Sequence, residues 1–437
     1  MSALHASRID AAPASADLDN AERRVFAKLA WRVLPLLTLA YVVNFLDRTN
    51  IGFAALTMNK AVGLTSAQFG YGAGILFLGY CLFELPSNIA LYRFGARTWL
   101  CRIMVTWGLI SMATIFVVGP NSFYALRFLL GVAEAGFFPG VAFYLAQWFP
   151  AQFRARVFAW FLIGIPASSL IGGPISGALL GMDGLFGLAG WQWLYIVEGV
   201  PAVILGVLLL FMLSDTPEQA SWLSPEEKVL IRRRLDSEVK PRVQHSLRKG
   251  LSDPRVVMLA LIQFFYTIGA YGVAIFLPLI IKAQNFPDFT VGLISALPSL
   301  VACVAMIIWA GIVDRSERKM LHLASMCVMS GAGLVLAVYT GSFVVAMLGL
   351  TAVVVGTNTA RAVLWTIPTR FLAGIAAAGG LALINSVGTV GGFVGPSIMG
   401  YLKELTGSFD SGLLVLAGFL FLSASLVGVL RLLLARP

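Results

Sequence analysis

The chain has 437 residues, 59% of them hydrophobic and 12% charged, with a mean hydropathy of +0.86 and a formal net charge of +10. That balance lies far outside soluble globular domains and describes a polytopic membrane protein. It leaves no soluble stretch long enough for a catalytic domain, and positive charge scattered over connecting loops is not the exposed basic face of a nucleic-acid-binding fold.

Residues 1–32 are polar, carry both signs of charge and lack a short apolar core followed by a small-residue cleavage site, so the mature chain is expected to begin near Met1. A helix needs about 20 mostly apolar residues to cross the hydrocarbon core. Twelve such segments follow, near 34–56, 69–90, 99–118, 123–147, 156–180, 192–213, 256–281, 292–312, 321–340, 343–367, 375–401 and 411–432. The expected organisation is an N-terminal segment 1–33, a six-helix bundle 34–213, a linker 214–255, a second bundle 256–432 and a tail 433–437. Loops rich in Lys and Arg stay cytoplasmic. With both termini inside, the 31 Lys and Arg divide into 25 inside, 3 outside (Lys60, Lys282, Lys403) and 3 within spans (Arg48, Arg127, Arg361). Both termini are therefore expected on the cytoplasmic side of the cell membrane.

Charges inside the spans mark function. An ionised side chain at the bilayer centre costs roughly 2.5–3.5 kcal/mol on insertion scales, so it needs a partner or a wet cavity. Asp47 and Arg48 are adjacent and diverge by about 100° around the first helix, so one can face a cavity while the other reaches sideways. Arg127 and Glu134 share one face of the fourth span, about 10 Å apart along its axis. With both acids ionised the four charges cancel; with both protonated two arginines await a dianion. Glu84 and Glu198 also fall in or near spans, and a structural role is expected for each. His5, His245 and His322 are poorly placed as proton relays, which leaves coupling to carboxylates.

The central loop carries S-P-E-E-K-V-L-I-R-R-R-L from Ser224 to Leu235, which predicts a short amphipathic helix capped by Ser224, with Pro225 in its first turn. It either ties the halves together, lies on anionic headgroups or is a solvated linker. Two echoes point to duplication. A basic turn recurs at Tyr92–Leu100 and Val313–Leu321, and a Gly-Pro motif at Gly172–Gly177 and Val394–Gly400; Arg97 to Arg318 is 221 residues and Pro174 to Pro396 is 222. Parallel halves with a midplane site between them are a recurring plan of secondary transporters.

The tenth span places Arg361 near its cytoplasmic end, where the side chain either snorkels to the interface or anchors a second carboxylate bidentately. Tyr80, Gln263, Tyr266, Asn358 and Asn385 can line a cavity or bond a hydroxyl, and Trp365 can stack on a ring; each is also compatible with helix packing. The glycines at 70–74 form a packing face, since no βαβ context makes them a dinucleotide loop, and Gly172, Gly173, Pro174 and Gly177 allow helices to approach and bend. Cys81, Cys101, Cys303 and Cys327 show no ligand spacing, and neither a phosphate-binding G-x-x-x-x-G-K-[ST] loop nor an H-E-x-x-H helix occurs, so no enzyme, metal or cofactor is expected beyond a proton gradient.

The order of spans, the basic turns and the Gly-Pro motifs resemble the major facilitator superfamily over almost the whole chain. N-F-L-D-R-T-N-I-G-F-A-A-L (Asn44–Leu56), R-F-L-L-G-V-A-E-A-G-F-F-P-G (Arg127–Gly140) and A-L-I-N-S-V-G (Ala382–Gly388) are similar to its anion:cation symporter family, and M-N-K-A-V-G-L-T (Met58–Thr65) and G-W-Q-W-L (Gly190–Leu194) fit the bacterial tartrate and phthalate permeases. The resemblance implies an all-α integral membrane protein of two six-helix bundles with pseudo-two-fold symmetry. It also implies proton-coupled import of a carboxylate by alternating access, with Asp47 and Glu134 as protonation sites and Arg48 and Arg127 meeting substrate or acids. It strengthens Tyr80 and Asn385 as substrate contacts. Two departures stand out: Phe45 replaces a Tyr of some sugar-acid members, and the turn at Tyr92 lacks the acidic residue that Asp314 supplies in the second copy. Partners are then a small organic acid, protons and lipid, with the chain monomeric. A proton-independent exchanger or facilitator, a sugar-acid or monocarboxylate symporter and a nutrient sensor remain as alternatives. The abundant aromatics and third arginine favour a phthalate-like over a tartrate-like dicarboxylate.

Overall fold

A computed structural model describes residues 12–237, 252–316, 318–368 and 374–434. The expected N-terminal segment up to residue 11, with His5, the linker stretch 238–251, with His245, and tail residues 435–437 lie outside the described residues. All regular structure among the described residues is helical. Twelve helices are long and apolar enough to cross a membrane: Glu22–Val62, Ser66–Phe94, Ala96–Phe116, Pro120–Trp148, Trp160–Leu180, Gly190–Met212, Pro254–Lys282, Asp288–Val313, Lys319–Tyr339, Phe343–Leu364, Gly379–Thr406 and Asp410–Leu433. They are spans one to twelve below. The number equals that read from hydropathy. Several run past their apolar stretches, because a helix continues into polar sequence until a cap or a breaker ends it. The second starts at such a cap, where the Thr65 hydroxyl accepts from the Gln68 amide and the Gln68 side chain accepts from the Thr65 amide.

The two halves repeat each other's packing. Span one packs on five and six, two on four, and three on four and six; six places later, seven packs on eleven and twelve, eight on ten, and nine on ten and twelve. Each half is a six-helix bundle, and the contacts between bundles, two against eleven and five against eight, exchange under the same shift. Pseudo-two-fold symmetry follows directly.

Small residues let the bundles touch on the face opposite the linker, the distal face. A Cβ at Gly70 would collide with the Pro396 carbonyl, and one at Gly292 with the Gly173 carbonyl. Gly292 lies 222 residues after Gly70, the offset that separates Pro174 from Pro396, so the seal is itself duplicated. Gly177 and Gly400 extend the two lines of close approach, at Phe289 and Gly70, and Gly52 of span one meets the Ile275 carbonyl of span seven. Backbones this close gain dispersion contacts that larger side chains would forbid. Glu404 adds a polar link by accepting from the Ala67 amide at the start of span two, 2.8 Å away.

On the linker face, Pro225–Asp236 forms the expected helix, with the Ser224 hydroxyl accepting from the Glu227 amide. It docks on the extension of span one: Lys28 Nζ lies 2.8 Å from Glu227, Arg234 Nε lies 2.9 Å from Glu22, and Ile231 is buried. The Lys28 ammonium holds the Glu227 carboxyl below its usual range. The amphipathic helix is therefore a brace on the first bundle, with the burial of Ile231 contributing more than exposed ion pairs that are worth about 1 kcal/mol or less each.

The glycine seal predicts a directional effect. In a cysteine-free background carrying Thr49→Cys in the cavity described below, Gly70→Val should admit a membrane-impermeant thiol reagent from the distal face, where Gly70 itself blocks it. Equal labelling with and without the valine contradicts the seal.

Candidate functional site

Between the bundles lie two adjoining cavities. The distal one is lined by side chains that include Thr49, Ser169, Ser295, Ser299, Thr357 and Asn358, and the other by Tyr41, Arg48, Tyr80, Gln263, Tyr266, Trp365 and Asn385. Phe45, Tyr271 and Arg361 line both and mark the border. Spans one, seven and ten thus bring residues scattered over 300 positions to one place.

Arg48 projects from span one to the cavity wall. Its Nε donates to Glu134 Oε2 at 2.7 Å, the same oxygen that accepts from Asn44 Nδ2 at 3.2 Å, and its guanidinium lies over the rings of Tyr80 and Phe45 with centroid distances of 4.8 and 5.4 Å. Glu134 is wholly buried. It is the last residue of its helix segment: the chain leaves α geometry at Ala135 and passes through Gly136 at φ +87°, with span four resuming at Phe137. A side chain at Gly136 would be strained by that φ and would strike Ser87. The break delivers the carboxylate to Arg48.

Asp47 points the other way, as the spacing around the helix requires. Its Oδ2 accepts from Trp107 Nε1 at 2.6 Å and its Oδ1 from Ser111 Oγ at 2.8 Å and Asn50 Nδ2 at 3.3 Å. These neutral donors belong to span three and to the next turn of span one. Arg127, 1% exposed, sits near Tyr195, Glu134 and Asp47, with Nε and Nη1 lacking hydrogen-bond partners.

The expected four-membered charge network is thereby corrected. Only Arg48 and Glu134 form an ion pair. Arg127 and Glu134 do share a helix face, but that face turns into the first bundle, and of the four charges Arg48 alone lines a cavity. Trp107 and Ser111 of span three hold Asp47 inward, and Arg127 lies beside Tyr195 of span six.

Arg361 stands on the cavity border beside Tyr266, Tyr271 and Tyr41, with no carboxylate within ion-pair distance among the described residues. Asn358 also lines a cavity, although its Nδ2 donates to the Val354 carbonyl at 2.8 Å. Gln263 packs on Gly388 and leaves Oε1 unpaired. Asn385 Nδ2 donates to Glu84 Oε1 at 2.6 Å, so Glu84 joins span two of one bundle to span eleven of the other. That link gives Glu84 more than the local structural role expected of it. Glu198 is buried too, 3% exposed, with Oε1 accepting from Ser176 Oγ at 2.7 Å. Among the described residues no three His, Cys, Asp or Glu side chains gather as a metal ion would need.

Sequence reasoning overlooked Asn44, Asn50, Trp107 and Ser111, which hold the acids, and Thr49, Ser295, Ser299 and Thr357 of the distal cavity. Asn44 and Arg48 are one turn apart, as are Asp47 and Asn50, so two polar faces on span one were available as a signal. Trp107 and Ser111 carried none, because apolar helices commonly contain both.

Residues 37–396 match the family described as the Major Facilitator Superfamily. A candidate tartrate transporter of Agrobacterium vitis is 49% identical over 420 residues, 96% of this chain and 93% of that one. A quinolone resistance transporter of Acinetobacter baumannii is 41% identical over 403 residues, 91% and 92% of the two chains. In three dimensions, a bacterial homologue of the human lysosomal transporter Spinster, in an inward-facing and occupied conformation, superposes with a TM-score of 0.75 at 15% identity, over 91% of this chain and 96% of that one.

The pairing pattern predicts unequal costs for two arginines. Arg48→Ala leaves Glu134 buried without its ion-pair partner, a loss of about 3–5 kcal/mol. Arg361→Ala strands no acid and should leave stability close to that of the unmodified protein. Thermal unfolding of the purified variants checks the order, and a larger loss for Arg361→Ala would contradict it.

Proposed function

The chain belongs to the Major Facilitator Superfamily, and from that premise we propose that it is a secondary transporter that imports an organic dicarboxylate with protons across the bacterial inner membrane by alternating access. The observation that carries this reading is the pair of guanidinium groups on one cavity, Arg48 held by Glu134 and Arg361 without an acid. Protonation of Glu134 frees Arg48. The cavity wall then presents two positive charges to an entering dianion, each able to bind a carboxylate bidentately.

Binding of proton and anion is mutually favourable. A carboxylate on Arg48 removes the charge that kept Glu134 ionised, so the proton binds more tightly when substrate is present, and linkage makes the effect reciprocal. Loss of the proton on the alkaline side restores the Arg48–Glu134 pair and expels the anion. Asp47, behind the cavity wall, is a second proton site acting on the packing of spans one and three through Trp107 and Ser111. Arg127 offsets its charge.

The bundles meet distally, and the linker face carries most of the Lys and Arg residues, which the positive-inside rule assigns to the cytoplasm. The conformation described is then the cytoplasm-facing one. The hydroxyls and amide of Thr49, Ser169, Ser295, Ser299, Thr357 and Asn358 match a hydroxylated dicarboxylate better than an unsubstituted ring. Together with relatives named for tartrate, they turn the choice from phthalate to a tartrate-like acid.

Proteoliposomes test the proposal. An acid-outside pH gradient should drive accumulation of the dicarboxylate against its own gradient; uptake only against preloaded internal anion would mean exchange, and no movement would mean sensing. In the same assay Arg361→Gln should reduce dicarboxylate uptake at least about tenfold more than uptake of the monoacid analogue, the loss of one charge-assisted contact. Equal reduction would reject the role of Arg361.

A further inference from the structure

Apart from Glu84, whose carboxylate accepts from Asn385 and Ser386 of the second bundle, five charged side chains are buried in the first bundle: Asp47, Glu134, Glu198, Arg48 and Arg127. Three acids and two bases leave one negative charge in excess when all are ionised. An interior that cannot screen a net charge relieves it by retaining one proton. Glu134 accepts from the Arg48 guanidinium and the Asn44 amide at Oε2, with Oε1 buried and unpaired, and the charge of its ion-pair partner favours a proton elsewhere.

The hydrogen bonds say where. Asp47 accepts from three donors, Trp107, Ser111 and Asn50, and is equipped as a carboxylate. Glu198 accepts from Ser176 alone, and its Oε2 is buried without a partner. Asn50 neighbours Glu198, and its Oδ1 is likewise buried without a partner. Two neighbouring side chains with one orphaned acceptor each are short of one hydrogen. A proton on Glu198 supplies it: the acid donates to Asn50 Oδ1 while Asn50 Nδ2 donates to Asp47.

The opposite arrangement is equally complete. If the proton is on Asp47, the acid donates to Asn50 Oδ1 and the turned amide donates Nδ2 to Glu198. Turning an amide exchanges its donor and acceptor, and the density of a side chain scarcely distinguishes them. Each orientation admits one protonated acid and one ionised acid. The charged and titratable groups around the pair are Arg48 and Asp47 on span one, Arg127 and Glu134 on span four, and Tyr195 on span six itself; spans three and five contribute Trp107, Ser111 and Ser176, which do not titrate near neutrality.

We propose that Asp47 and Glu198 are one proton-holding unit, bridged by the Asn50 amide, which keeps a single shared proton in the first bundle and passes it between spans one and six. Glu198 then positions and titrates with Asp47, and has no contact with substrate. The inference rests on Asp47 being a proton site of transport, and the experiment separates the two.

Uptake is measured against pH in proteoliposomes for the unmodified protein, Asp47→Asn, Glu198→Gln, Asn50→Leu and the double variant Glu198→Gln/Asn50→Leu. A glutamine at 198 permanently donates to Asn50 Oδ1, fixing Nδ2 on Asp47 and removing a neighbouring negative charge. The midpoint of the pH profile should move to lower pH by about one unit or more, the size of one charge-assisted hydrogen bond. In the Asn50→Leu background the same replacement should move it by less than half as much. No shift, or the same shift in both backgrounds, overturns the bridge. An Asp47→Asn protein with an unchanged pH profile overturns the role of Asp47 and the bridge with it.

Should Asn50→Leu fail to fold, the infrared carbonyl band of a protonated carboxyl at neutral pH decides. It should be present in the unmodified protein and lost in both Asp47→Asn and Glu198→Gln, because removing either acid removes the excess charge. Loss in only one of them, or in neither, overturns sharing.

Discussion

A guanidinium on the wall of a cavity is held by a carboxylate that has no access to water, and the rest of the site is arranged around that bond. Without Arg48 an ionised Glu134 would be an isolated buried carboxylate, several kcal/mol less stable than in water. Arg48, in contrast, reaches the cavity and can accept another anion. In the proposed mechanism the pair has two stable conditions: closed on itself, or opened with a proton on Glu134 and an anion on Arg48. Intermediate conditions leave a charge uncompensated. In that mechanism the asymmetry of access makes the ion pair a device that binds proton and anion together.

Duplication supplies the frame that lets one such pair act on the whole molecule. The two bundles repeat the same helix pairings, and their contacts on the distal face are built from backbone approaches at Gly70, Gly173, Gly292 and Gly400. Such seams are thin, with few side chains to interlock. They can part and re-form without repacking a core, whereas the aromatic and aliphatic packing within each bundle holds it as a unit. Arg48 belongs to one bundle and Arg361 to the other, so a dianion bridging them pulls the halves toward each other at the midplane. Glu84 and Asn385 make a direct bond across the same divide.

The number of spans, their order and the duplication were legible because each rests on a strong local signal: twenty-residue apolar runs and a Gly-Pro echo at a constant offset. That Asp47, Arg48, Arg127 and Glu134 sit buried within spans was legible because charge inside apolar runs is rare. What each one bonds was not. The sign sum over four charges suggested a closed network, but Glu84 and Glu198 are buried acids as well, and they change the count. The direction of Glu134 depends on a helix break at Gly136, and a lone glycine inside an apolar run does not announce a positive φ. Trp107 and Ser111 reach Asp47 only through tertiary packing of span three on span one. Arg361 read equally well as an interfacial anchor, since distance along a helix does not reveal which neighbours enclose it.

Proton uptake on anion binding is the most direct measure of the account. Purified protein titrated with a tartrate-like dicarboxylate, by calorimetry at neutral pH in two buffers of different ionisation enthalpy, should take up protons as it binds, and Glu134→Gln should bind the anion while taking up fewer. Binding to the unmodified protein with no proton uptake in either buffer would contradict the claim that opening the Arg48–Glu134 pair is what couples the two.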